Sequence, residues 1–373
     1  MTTNSKTFLA NTFFFFGIIV LIGYLLHVGR PFLQPFIIAL VFWYLIVSLA
    51  KTFDHDYRFF KLPTPLTLPL AIITCAAFVW ITSSIASSNI EQINAKLPEY
   101  RTNLTAITQN VLNKYVPDSE LDARTFLSTN VYSNLDLNGL ASDAARTAGG
   151  LAGKTVLIII YVLFLLIEYK KIPQKLERIT AKGKNYGRTI DILKDVSQDL
   201  NSYFKIKASA SIITGLLSYL VLIGFGVDFA AFWALLIFLL NFIPTVGSII
   251  ATAFPVMVAL VQFQGGYQFF AIGGTLIFIQ IVIGSILEPR YQGNTLNISP
   301  LVIILSLAFW ASIWGILGAL LCIPIMAILN IVLSKFESTQ WISLLISADG
   351  EGKNYQQFKW HKHLKKQVKK LRK

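Results

Sequence analysis

Charge is what this sequence has least of. Only 14% of its 373 residues are Asp, Glu, Lys or Arg, against about 25% in an ordinary soluble domain. A soluble chain of this length could not hide the 54% that are hydrophobic, 28 of them phenylalanine, in one core. Cysteine is nearly absent. Cys75 and Cys322 both lie in apolar runs, which excludes a disulfide framework. The four histidines, His27, His55, His361 and His363, fall in expected loops or the tail with no zincin-type partner. A Walker phosphate loop and a nucleophile-elbow serine are missing as well. Gly224-Phe225-Gly226-Val227-Asp228 approaches the Gly-x-Gly-Asp motif of intramembrane aspartyl proteases. Its aspartate comes one residue late, and no second aspartate lies in a span. The sequence therefore predicts no enzyme, no cofactor and no bound metal, and any transport would run on a gradient or by facilitated diffusion.

What is present is apolar residues in long runs, the pattern that lipid demands of a spanning helix. Phe8 to Leu26, Pro31 to Ala50, Leu66 to Ser88, Gly149 to Glu168, Ala208 to Gly226 and Tyr267 to Leu287 each reach spanning length. No small-residue cleavage site follows the first run, so it reads as a retained helix rather than a signal peptide. Asn89 to Ala148 is polar and begins as an amphipathic helix, with Ile90, Ile93, Leu97, Leu104, Ile107, Val111 and Leu112 near helical spacing. Pro117 and Asp118-Ser119-Glu120 are expected to break it.

The net charge of +13 would suggest nucleic acid in a soluble protein, and it is the distribution of that charge that argues against it. Asn89 to Ala148 has five basic and seven acidic residues, the stretch after the fourth run has ten and four, and the tail from Lys335 has ten and three. Few aromatics interleave these basic residues, and the positive-inside rule accounts for them. It places the N-terminus, the segment up to Lys207 and the tail in the cytoplasm, with Asn89 to Ala148 outside. The tail from Lys353 to Lys373 would also be drawn to anionic lipid, by about 1 kcal/mol per charge near the surface.

Two runs in the C-terminal half, Phe229 to Gln262 and Pro300 to Leu333, are 34 residues each without one charged side chain. A straight helix of that length would measure about 51 Å, against a hydrocarbon core of about 30 Å. Each is too long for one span and short for two. Each is also interrupted, by Asn241 to Gly247 in the first and by Gly315, Gly318 and Pro324 in the second. Broken or re-entrant helices are expected, either as hairpins, which put Glu288 at the cytoplasmic side, or as single crossings, which put it outside. Ala231-Phe232-Trp233 echoes Ala308-Phe309-Trp310, and Pro255-Val256-Met257 echoes Pro324-Ile325-Met326. The spacing between the two halves of the echo differs, as chance would give.

Carboxylates in such a half are costly and mark function. Glu168 reads as interfacial and Asp228 as a hydrated turn. Glu288 is the sole carboxylate between Asp228 and Glu337. With Arg290 two residues on, it is either a loop ion pair after a helix end or a gate or proton-exchanging site where the chain unwinds. Gln280 precedes it by one or two turns. Asn241, Pro244 and Gly247 supply an amide, a freed carbonyl and a flexible joint, suited to a small polar solute, to a dehydrated cation, or to a packing kink.

At these residues the sequence resembles a known family. Leu240-Asn241-Phe242-Ile243-Pro244-Thr245-Val246-Gly247-Ser248 is similar to the signature loop of the autoinducer-2 exporter family of permease-like bacterial membrane proteins. Glu288-Pro289-Arg290, with Gly293, Leu296, Asn297 and Ser299-Pro300-Leu301-Val302, resembles its second signature, and Trp310, Trp314-Gly315, Gly318 and Pro324 continue it. The resemblance implies a multi-pass transporter of the bacterial inner membrane and a homo-oligomer. It also implies either export of autoinducer-2 or exchange of sodium or lithium for protons. Carried over residue by residue, it marks Asn241, Pro244, Gly247, Glu288, Pro289, Arg290, Asn297 and Pro300.

The expected fold is an all-α polytopic membrane protein with about eight membrane segments, some broken or re-entrant in the C-terminal half. Its parts are membrane helices in 1–88, an extracytoplasmic segment 89–148, a helix and basic loop in 149–207, a membrane core in 208–334 and a cytoplasmic tail in 335–373. The expected substrate path comprises Asn241, Pro244, Gly247, Gln280, Glu288, Arg290, Asn297 and Pro300. The leading function is export of a small polar solute. Monovalent cation/proton antiport is the second reading, and a non-transporting membrane scaffold acting through its external segment is the third.

Overall fold

The computed structural model describes residues 13, 17–18, 20–54, 63–115, 123–127, 154–169, 171–172, 174–175, 178, 186–292, 297–348 and 350. The basic tail from Lys353, the break at Pro117 to Glu120, and Gly293 and Leu296 of the second motif lie outside the described residues. Every regular element among the described residues is helical. These are α1 (Arg30–Phe53), α2 (Thr64–Tyr115), α3 (Ala123–Leu127), α4 (154–169) and α5 (Tyr186–Gly224). There follow α6 (Ala230–Leu240), α7 (Val246–Gln262), α8 (Tyr267–Gln280), a π-helical segment Ile281–Leu287 and α9 (Glu288–Gln292). The last are α10 (Pro300–Trp314), α11 (Ile316–Ser334) and α12 (Gln340–Ile346).

Five helices are long and apolar enough to cross a membrane and three more are apolar but shorter, so the chain is a polytopic helical membrane protein. Its surface agrees. Ile73, Trp80, Leu220, Phe270 and Leu301 are all more than half exposed, an arrangement suited to lipid and costly in water. Pro31 opens α1 at a position where its missing N–H costs nothing. The third span and the amphipathic stretch after it are one helix. α2 runs 52 residues, about 78 Å, and passes residues 88 and 89 without a break. It ends at Tyr115.

Both charge-free runs fold back on themselves. In the first, α6 and α7 have 11 and 17 residues, about 16 and 26 Å, so neither arm fills the hydrocarbon core. A Cβ on Gly247 would overlap the Leu240 carbonyl oxygen, and Trp233 stacks on Phe254 with ring centroids 6.0 Å apart. Both pairs are symmetric about Ile243–Pro244, which makes the arms antiparallel and that bond the tip. In the second, a Cβ on Gly318 would overlap the Trp310 carbonyl oxygen, and Ser306 Oγ donates to the Cys322 carbonyl at 3.4 Å. These pairs are symmetric about Trp314, beside Gly315 at φ 65°. Each run is therefore a helical hairpin rather than a single broken crossing. The Ala-Phe-Trp echo has no structural counterpart: Trp233 sits near the root of its hairpin and Trp310 near the tip of the other.

The chain divides into two compact units. One comprises the described residues of Met1–Tyr44, Thr155–Asn201 and Asn294–Lys373 and holds the α10–α11 hairpin. There Gln34 Nε2 donates to the Trp314 carbonyl at 3.1 Å, the Trp314 indole donates to the Leu26 carbonyl at 3.3 Å, and Lys335 pairs with Asp195 at 2.6 Å. The other comprises the described residues of Leu45–Lys154 and Ser202–Gly293 and holds the α6–α7 hairpin against α5. Gly215 of α5 admits Phe238 closely, since a Cβ there would lie 3.1 Å from the Phe238 Cβ.

The tip glycine carries a prediction. Gly247→Ala forces the backbone of Leu240 to move and lowers stability by about 1–3 kcal/mol. Gly274→Ala, with nothing within 4 Å of the added carbon, leaves stability unchanged or raises it, because alanine is the better helix former. Thermal unfolding of the two purified variants in detergent checks the contrast.

Candidate functional site

Six of the eight expected path residues fall in one unit: Asn241, Pro244, Gly247, Gln280, Glu288 and Arg290. Asn297 and Pro300 belong to the other. Asn297, at φ 40°, accepts the Ala348 N–H on Oδ1 at 3.2 Å, and Pro300 opens α10.

The hairpin tip is a chain of tight turns. The Asn241 N–H donates to the Ile237 carbonyl, the Phe242 N–H to Leu239 and the Ile243 N–H to Leu240. Thr245 has φ 57° and ψ −59°, a γ-turn conformation that is rare and strained for a β-branched residue. It is closed by the Val246 N–H donating to the Pro244 carbonyl at 2.5 Å. The Leu240 carbonyl, which the missing N–H of Pro244 was expected to free, is thus engaged by the tip itself. The N-terminus of α7 has no side-chain cap. The Asn241 side chain is buried and its Nδ2 donates to Ser211 Oγ at 3.0 Å.

Ser211 belongs to a polar face of α5 absent from the sequence-based expectation. Lys207, Ser211, Thr214 and Ser218 are all buried, and their offsets of four, seven and eleven positions put them on one side of a helix. Lys207 Nζ donates to both carboxylate oxygens of Glu288, at 2.7 and 2.9 Å. The two side chains are only 8% and 13% exposed. A pair so withdrawn from solvent holds only because each charge answers the other.

Two expectations about Glu288 are corrected here. Its partner is Lys207, while Arg290 is exposed. The chain also does not unwind at Glu288. It continues as helix to Gln292, after a π-helical stretch whose last bond runs from the Glu288 N–H to the Ile283 carbonyl, five residues back. Pro289 lacks the N–H that would have bonded Ser285 in an α-helix, which favours the wider turn. π-Segments of this kind concentrate at functional sites. The same widening alters the phase between Glu288 and Gln280 from that of an α-helix. Gln280 Nε2 is buried without a hydrogen-bond partner. Its neighbour Ile279 packs with Ile283 and Ala210, in the layer next to Lys207 and Ser211.

The far end of the same α5 segment carries a second charge cluster, about 25 Å from Lys207 along 17 residues. Asp228 was expected to be a hydrated turn residue. Instead it accepts from Lys96 Nζ at 2.6 Å and from the Tyr100 hydroxyl at 2.9 Å, both on the polar half of α2. Burial, then the Asp228 carboxylate, pushes the Tyr100 phenol well above its ordinary pKa. The Asp228 N–H donates to Gln262 Oε1 at 2.9 Å, and Gln262 Nε2 donates to the Gly226 carbonyl at 2.8 Å. Together these bonds tie the two roots of the hairpin to each other and to α2. Glu168 is ion-paired with Lys175. Among the described residues no cluster of three His, Cys, Asp or Glu could hold a metal.

The chain matches a family model described as "AI-2E family transporter" over residues 14–338. It is similar to the AI-2 transport protein TqsA of Escherichia coli K12, with 29% identity over 335 residues, 89% of this chain and 94% of that protein. It is also similar to a putative transport protein of Borreliella burgdorferi, 33% identical over 250 residues, 66% of each chain. The putative transport protein YhhT of Escherichia coli K12 is 26% identical over 332 residues, 88% of this chain and 91% of that one.

The two ion pairs differ in the stability each supplies. Lys207→Met strands a buried carboxylate and costs about 3–5 kcal/mol, whereas Lys207→Met with Glu288→Leu is near neutral. Lys96→Ala removes a partly exposed ammonium and costs about 1 kcal/mol or less. Thermal unfolding of the three variants beside the parent protein checks the order.

Proposed function

The chain belongs to the AI-2E transporter family, and from that premise we propose that it is a secondary transporter exporting a small polar solute across the bacterial cytoplasmic membrane by way of the α6–α7 hairpin tip. The observation that carries this reading is the buried Lys207–Glu288 pair on the same α5 face as Ser211, which holds the broken tip through Asn241. Polar groups at membrane depth are costly, and they collect where a polar species must be handled. Irregular backbone at that depth is tolerated only where protein or a water-filled cavity meets its needs. With both basic segments in the cytoplasm, the hairpin scheme puts Glu288 and Lys207 at the inner end of the path and Asp228 at the outer end. Asn241, Pro244 and Gly247 shape the tip, Gln280 and Glu288 line the approach, and Arg290 stands at the cytoplasmic rim.

The same pair ranks cation/proton antiport second. An exchanging carboxylate must give up its site to a cation, and here a fixed ammonium already fills it. The scaffold reading leaves the strained Thr245 turn and the buried pair without a role.

The name of the Escherichia coli relative makes AI-2 the first solute to test. Everted vesicles containing the protein accumulate AI-2 when a gradient is imposed, and Glu288→Gln lowers that flux at least tenfold at equal protein level. Unchanged flux in the variant removes Glu288 from the path. If AI-2 is not moved but sodium or lithium alkalinises an acid lumen, the antiport reading takes its place.

A further inference from the structure

We infer that the Lys207 ammonium is an anion-binding site in which Glu288 is the resident counter-ion, and that the solute taken at the hairpin tip is a small hydroxyl-bearing organic anion that takes its place. The inference rests on the path proposed above and names the chemical class of its occupant.

Donor groups gather along this face of α5. Lys207 brings an ammonium, Asn241 an amide with one N–H donating to Ser211, and Ser211 and Ser218 hydroxyls on the same helix face. Gln280 adds an N–H group that is buried and unpartnered, a deficit that an acceptor-rich ligand would relieve. The α7 N-terminus, with no side-chain cap, ends at the same tip and favours negative charge. Some of the acceptors a cation would use are engaged: the Leu240 carbonyl takes the Ile243 N–H and the Pro244 carbonyl takes the Val246 N–H. Both oxygens of Glu288 are committed to Lys207.

A single ammonium held by both oxygens of one carboxylate has the arrangement in which it would hold a carboxylate from solution. Glu288 sits on the short α9 just past the π-helical stretch, where wider turns make the backbone easier to reshape than an α-helix. Lys207 is fixed on α5, a helix of 39 residues. When the pair parts, the carboxylate is therefore the member that leaves and the ammonium the one that stays. A solute anion that enters keeps the ammonium paired, and the displaced carboxylate has then to be met by water. The hydroxyls one and three turns along α5 from Lys207 would receive the rest of the molecule.

The test is chemical rescue on the full-length protein in detergent, read as Tm by tryptophan fluorescence. Glu288→Ala lowers Tm, and sodium acetate recovers at least half of the loss in a saturable way. Sodium chloride at equal ionic strength and acetamide do not. Lys207→Met with Glu288→Ala does not respond to acetate. Should Glu288→Ala fail to fold, Glu288→Gln keeps the side-chain shape, and acetate is expected to raise its Tm while leaving the parent protein unmoved. If acetate does no better than chloride and acetamide in the folded variant, the anion site is overturned. AI-2 flux in Lys207→Met vesicles separates this from the path itself. Flux lost without any acetate response keeps the path and discards the anion. An acetate response with undiminished flux shows that Lys207 binds anions away from the path, and overturns the assignment of the solute.

Discussion

Lipid offers no hydrogen bonds, so a helix that breaks inside a membrane must find replacements within the protein. One hairpin tip of this chain meets that demand with a primary amide, since Gln34 donates to the Trp314 carbonyl. At the other tip the side chain of Asn241 ties the break to Ser211. Close turns do the rest, and they are possible only because Gly247 and Gly318 let one arm rest against the carbonyl oxygen of the other. Without those contacts the two charge-free runs could not fold back, and the polar face of α5 would have no tip to hold.

The second demand is electrostatic. A charge withdrawn from water is sustained only by a partner of opposite sign, and such an arrangement lies near each end of the membrane stretch of α5. At one end Lys207 and Glu288 satisfy each other with little help from solvent. At the other, Asp228 shares its carboxylate between Lys96 and Tyr100 while its backbone N–H holds Gln262. The first pair joins α5 to the end of the α8 span. The second joins the hairpin roots to a helix that continues far beyond its apolar half. The unit is closed by ionic contacts at both ends and by apolar packing of Leu222, Trp233, Ile272 and Leu276 between them.

Much of this was legible before the structure. Two runs of 34 residues without charge, each interrupted by glycine or proline, announced broken helices because their length matches neither one span nor two. The direction of the break was not legible, since a bent crossing and a hairpin have the same composition; the contacts of Gly247 and Gly318 decide it. Glu288 stood out as a solitary carboxylate, but its partner did not. Lys207 had been counted with the basic residues that set topology, although Ser211, Thr214 and Ser218 follow it at helical offsets that single out one face. Arg290 was too near in sequence to be the partner, because residues two apart on a helix point to different sides. The π-helical stretch left only the missing N–H of Pro289 as a trace. Asp228 looked hydrated because Lys96 and Tyr100 lie more than a hundred residues earlier in the chain.

The distance along the chain between Lys207 and Glu288 also bears on how the protein is made. The two are 81 positions apart, and synthesis at about 5–20 residues per second leaves roughly 4–16 s between them. During that interval α5 has been delivered to the membrane and its lysine has no carboxylate to meet. The ammonium must wait near the headgroups, where its long stem lets it stay wet. The polar face of α5 can settle only when α8 and Glu288 arrive. Insertion and final packing are thus separate events for this segment, and the later of them waits on a residue encoded 81 codons downstream.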